Sequence, residues 1–124
     1  MIIRQQQMAV LTEASRGKFE DRMVEHLNRC FPSECQALGD KGVLEAIRYG
    51  IERAASHGIN LERDVCKYID LMFAFGRDYD RDPALPWASR ILQDDTFKSS
   101  TMKMERLFSE AKLQNQTATG SPLP

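Results

Sequence analysis

Histidine, tryptophan and cysteine are scarce in this chain, with two, one and three among 124 residues. Three thiols cannot all pair within one chain, and Cys30, Cys35 and Cys66 lack the dense spacing of a secreted disulfide framework, so reduced and mostly buried thiols are expected. Surplus charge is missing too: 17 Lys and Arg face 18 Asp and Glu. A balance this even removes the electrostatic drive that nucleic-acid binders use to neutralise phosphates. No apolar run approaches the roughly 20 residues that a membrane-spanning helix needs. The stretch Met1-Ile-Ile-Arg-Gln-Gln-Gln-Met8 has none of the charged start, apolar core and cleavage site of a signal peptide, and a cytoplasmic location is expected. Short β-branched runs of period two are absent, so no sheet is expected. The phosphate-cradling glycine loop, the His-Glu-x-x-His metal motif and the Gly-x-Ser-x-Gly nucleophile turn are absent as well.

What the chain does have is helical periodicity. Met8, Leu11, Ser15, Phe19, Met23, Leu27 and Cys30 recur at steps of three or four, predicting one long helix from Arg4 to Phe31, where Pro32 ends it. At 1.5 Å per residue it would span roughly 40 Å, long enough for its first turns to protrude or to meet another chain. Ser33 to Leu38 offers one helical turn stopped by Gly39. Asp40 then caps a second major helix with Val43, Leu44, Ile47, Ile51, Ala54 and Ala55 on its apolar face, where Gly50 lets a neighbouring backbone approach. His57-Gly58 closes it. Asn60 or Leu61 opens a third, central helix carrying Val65, Cys66, Ile69, Met72 and Phe73. Asp82 as cap and Pro83 as first residue predict a short helix with Trp87, Ala88, Ile91 and Leu92. A last helix runs from about Ser100 to Leu113.

The resulting expectation is all-α: a single compact bundle of four to five helices with a long N-terminal helix, residues 1–113, and a disordered or extended tail over 114–124. The expected core is Phe19, Met23, Leu27, Leu44, Ile47, Ile51, Val65, Ile69, Met72, Phe73, Ile91 and Leu92.

The stretch Phe73-Ala-Phe-Gly-Arg-Asp-Tyr-Asp-Arg-Asp-Pro-Ala-Leu-Pro-Trp-Ala88 stands out, because an apolar helix stops at Gly76 and gives way to three alternating carboxylates, two prolines and the only tryptophan. Asp78, Asp80 and Asp82 match the first ligands of a calcium loop, but Pro83 replaces its turn glycine and Ser89 its closing glutamate. Helix-end duty, or local ion pairs with Arg77 and Arg81, explains them better. Aromatics with a polar handle on a proline-stiffened corner are features of binding hot spots. Tyr79, Asp80, Arg81 and Trp87 are therefore candidate partner-binding residues, together with Met8 and Leu11 at the exposed end of the first helix. The competing reading places Trp87 in the core and leaves Tyr79, Asp80 and Arg81 exposed. Of the other methionines, Met23 and Met72 are assigned to the core and Met102 to partner surface.

His26 and Cys30 share a helix face and Cys35 follows the proline turn, so three metal ligands converge if Cys66 or His57 folds back to complete the set. The paired Cys-x-x-Cys turns of zinc sites are missing, as is a small-residue turn that would supply oxyanion donors to a cysteine nucleophile. Buried thiols and a half-exposed histidine are the simpler reading, with no metal, no cofactor and no catalytic residue.

The segments Met1 to Met8, Phe19-Glu-Asp-Arg-Met-Val-Glu-His-Leu27 with Phe31-Pro32, Ile51-Glu-Arg-Ala-Ala-Ser-His-Gly-Ile59, Glu62-Arg-Asp-Val-Cys-Lys-Tyr68 and Asp82-Pro-Ala-Leu-Pro-Trp-Ala88 together resemble small bacterial proteins of unassigned activity. Such proteins are commonly encoded beside type VI secretion spike components and toxic effectors. The resemblance rests on helix ends and packing residues from Met1 to about Leu92, and implies a context instead of a reaction. It implies a non-enzymatic adaptor or chaperone that binds an effector or spike protein. The alternatives are an immunity protein that neutralises an effector and, further off, a small zinc- or thiol-dependent enzyme. A homodimer is compatible with the long first helix.

Overall fold

The computed structural model describes residues 9–117. Five α-helices follow one another: α1 (Glu13–Cys30), α2 (Pro32–Ser56), α3 (Glu62–Phe75), α4 (Pro86–Leu92) and α5 (Ser100–Thr117), with a 3-10 turn at Tyr79–Arg81. Among the described residues there is no strand, only an isolated antiparallel bridge between Val10 and Leu61. The all-α bundle expected from the periodicity is the observed architecture.

The first helix begins later than its apolar stripe implies. Thr12 accepts a hydrogen bond from the Ser15 amide while Ser15 Oγ accepts from the Thr12 amide, a reciprocal cap that satisfies two otherwise orphaned donors. Upstream, Leu11 N donates to Asn60 O at 2.7 Å and Glu62 N to Ala9 O at 2.8 Å. Residues 9–11 are thus extended against the start of α3, and their backbone groups are paired there instead of in a helix. Residues 4–8 of the expected helix, Met8 included, lie outside the described residues.

Gly39 interrupts α2 with φ 76° and ψ 168°, a conformation that side-chain-bearing residues rarely adopt. The kink separates the turn after Pro32 from the longer run after Asp40, as the sequence implies. Gly50 permits a close approach, but by side chains: a Cβ there would meet Ile69 Cγ1 at 2.7 Å and Met72 Sδ at 2.8 Å. The short α4 starts at Pro86, not Pro83, because Asp82 Oδ1 instead accepts from Ala84 N in a local turn. At the other end α5 extends through Thr117, past the expected stop at Leu113. The remainder of the expected tail lies outside the described residues.

The central position falls to α3, which packs against α2 and α5 and also touches α1 and the 3-10 turn. Seven of its 14 residues are buried: Asp64, Val65, Tyr68, Ile69, Asp70, Leu71 and Met72. Full burial of a large apolar side chain such as Ile69 stabilises by about 1.5–3 kcal/mol. Ten of the twelve expected core residues are buried; Leu44 and Phe73 are half-buried at the edge. Ile59, Tyr68, Leu71, Tyr79, Met104 and Leu107 join the core as residues that the expected list omitted. Among the described residues, no helix is long and apolar enough to cross a membrane.

Candidate functional site

The aspartate-rich corner is where the structure departs most from expectation. Gly76, at φ 122°, ends α3, and the 3-10 turn that follows carries Tyr79 and Asp80 inward. Tyr79 is fully buried and Asp80 is 2% exposed, which corrects the assignment of both to an exposed surface. Asp80 Oδ2 accepts hydrogen bonds from Arg53 Nε at 3.1 Å, His57 Nε2 at 2.9 Å and Tyr68 Oη at 2.9 Å. Tyr79 Oη donates to the Tyr68 carbonyl at 3.3 Å. A buried charge is tolerated only when paired, and the end of α2 supplies the cation. Burial works to raise the Asp80 carboxyl, but the bonds from His57, Arg53 and Tyr68 prevail and hold it below its ordinary value. Burial, followed by the charge of Asp80, drives the Tyr68 hydroxyl far upward. Asp80 Oδ1 is buried and has no hydrogen-bond partner.

Trp87 is also core, with its ring edge-on to Phe75 at 5.3 Å. Of the four candidate residues at the corner, Tyr79, Asp80, Arg81 and Trp87, only Arg81 is open to solvent, where it pairs with Asp78 at 3.3 Å and donates to Tyr49 Oη at 3.2 Å. Tyr49 also donates to Asp78, and Arg77 lies 3.9 Å above its ring while forming two bonds to Glu45. Ion pairing is therefore of both kinds: Asp78 pairs locally with Arg81, whereas Arg77 reaches Glu45 of α2 and Asp80 takes Arg53. Leu11 is half-buried against the core.

A second polar cluster lies between α1 and α3. His26 Nε2 is 2.8 Å from Asp70 Oδ1, and Cys30 Sγ is 3.8 Å from His26 Nδ1. Cys66 joins them, so that a ring nitrogen of His26, the Cys66 sulfur and an Asp70 oxygen all lie within 4.8 Å of one another. The histidine and two of the expected cysteines meet, whereas Cys35 is buried in the apolar core and His57 serves Asp80. Asp70 is the ligand-type residue that sequence reasoning missed; its position four residues after Cys66 was the available signal. Burial, and next the charge of Asp70, push the Cys66 thiol up to about 12, while burial raises the Cys35 thiol. Neither is a ready thiolate at neutral pH. His26 and Cys66 open onto a groove of about 710 Å³, bordered by Arg22 and Glu62, which pair at 2.6 Å.

The apolar surface sits elsewhere. Leu38, just before the Gly39 kink, is 49% exposed. With Ala37, Ala46, Met72 and Phe73 it lines a groove of about 330 Å³ flanked by Glu34 and Arg77. The kink gives this groove its wall, because the turn before Gly39 leaves the axis of the rest of α2.

Among the described residues, these features define an all-α bundle that buries the carboxylates of Asp80 and Asp70 in polar clusters and presents an apolar surface groove beside Leu38. No protein-family model matches the chain, and neither a curated protein nor a solved structure matches it.

Proposed function

We propose that the protein is a non-enzymatic binding module that captures a protein partner through the groove around Leu38 and Phe73. The carrying observation is that a large leucine stands half-exposed beside the Gly39 kink, lining one groove with a half-buried aromatic and rimmed by charges of both signs. An apolar centre with a polar rim is the composition of a binding patch. The reading is supported by the protonated state of Cys66 and Cys35, which gives neither an activated sulfur, and by the enclosure of the Asp80 network.

The sequence resemblance gives the partner its class: a secreted effector or spike component of a type VI system, bound by a cytoplasmic adaptor or chaperone. An immunity protein would use the same kind of surface against a toxic effector. Capture of neighbouring gene products by the purified chain tests the proposal. Leu38→Asp, in a protein shown to stay folded, is expected to weaken capture by at least about 1 kcal/mol. Unchanged capture with Leu38→Asp and a loss with Arg81→Glu would move the interface to the Arg81 corner. Toxin neutralisation in co-expressing cells would favour the immunity role.

A further inference from the structure

We propose that His26, Cys66 and Asp70 form a binding site for a zinc-class divalent cation that ties α1 to α3. The inference is independent of the docking groove. The donors are one imidazole, one thiol and one carboxylate, a set suited to a borderline-soft ion. They come from two helices: His26 from α1, and Cys66 and Asp70 from one face of α3 at a spacing of four. Their ligand atoms already lie within 4.8 Å of one another. A tetrahedral zinc with bonds of about 2.0–2.3 Å needs its ligand atoms about 3.3–3.8 Å apart, so small side-chain rotations suffice.

The simpler account, an ion pair between His26 and Asp70, explains the carboxylate but leaves the approach of Cys66 without a role. Asp70 is 4% exposed and faces His26 Nε2 at 2.8 Å, so the ion takes the place of the proton these two share. Cys30 lies against the other ring nitrogen, Nδ1, at 3.8 Å. With the ion on Nε2 the ring proton sits on Nδ1, and the Cys30 sulfur is placed to accept it, the outer contact that orients a metal-bound histidine. The fourth coordination position faces the groove that His26 and Cys66 line, where water or a partner's side chain completes the shell. Binding requires Cys66 as thiolate, so it releases a proton and weakens as the pH falls.

The test is titration of the chelator-treated full chain with Co²⁺ and then Zn²⁺. Expected are one equivalent of Co²⁺ with a sulfur-to-cobalt charge-transfer band, displacement by Zn²⁺, and a higher Tm with Zn²⁺. Cys66→Ser is expected to abolish the band, and Asp70→Asn to weaken binding by more than about tenfold, the loss typical even of an outer-shell partner. Cys35→Ser should keep both band and affinity. Absence of the band in the unmodified chain overturns the site whatever the variants do. Its survival in Cys66→Ser, or its loss in Cys35→Ser, overturns it equally.

Discussion

Tyr68 donates its hydroxyl to Asp80 at 2.9 Å in the interior, joining the central helix to a turn twelve residues further along the chain. The bond places a carboxylate where an apolar residue would otherwise be expected, and the corner after α3 is built around it.

Removing that carboxylate leaves Arg53 and His57 without their acceptor. Asp80→Ala is expected to cost about 3–5 kcal/mol, as for breaking a buried ion pair from one side. Tyr68→Phe removes one bond to a charged group and should cost about 1.5–3 kcal/mol. Urea unfolding of the two variants checks the order; equal, near-zero losses would contradict a structural role for the network.

Two of the buried aspartates, Asp70 and Asp80, should respond to pH in opposite directions. Burial lifts the Asp70 carboxyl to about 6, against the lowering influence of His26. Unfolded aspartates titrate near about 3.9, so between about pH 4 and 6 the folded chain binds the extra proton and stability from Asp70 falls as the pH rises. For Asp80 the folded value is depressed: its contribution is present above about pH 4 and lost as the pH falls through the folded value. In metal-free protein, Asp70→Asn should remove the decline between about pH 4 and 6 while leaving the loss in stronger acid. Urea midpoints measured across this range decide it.

Gly50→Ala offers a test of packing against propensity. Alanine favours a helix by about 1 kcal/mol over glycine, yet its Cβ would press on Ile69 and Met72. Overpacking costs about 1–3 kcal/mol, and a net destabilisation is expected because Ile69 is fully buried and cannot retreat. A raised Tm would show that Met72 and Ile69 yield easily.

The thiols should differ in reactivity. With its thiol pushed up to about 12, Cys66 should react slowly with a disulfide reagent near about pH 7 in the native, metal-free protein, and fast after denaturation. Mass mapping of the modified cysteine reads the outcome, and early labelling of Cys66 would contradict the environment described.

The helices of the core were legible because a 3.6-residue period is a local property: Phe19, Met23 and Leu27, or Val65, Ile69 and Met72, declare one face without reference to the rest of the chain. The stripe misled only at its start. Leu11 and Ser15 keep the phase, but the Thr12 cap and the pairing of residues 9–11 with the start of α3 take those backbone groups out of the helix. Tyr79 and Asp80 read as surface because polarity is the only local signal they carry.

Sequence by itself thus determined an all-α chain, the glycine and proline breaks at Gly39, Gly76 and Pro32, and most of the apolar core, since each depends on residues within a turn or two. Tertiary structure decided which polar groups lie inside. Asp70 meets a histidine 44 residues earlier, and Asp80 meets an arginine 27 residues earlier. Burying either carboxylate depends on donors arriving from another helix, and no local period encodes that arrival.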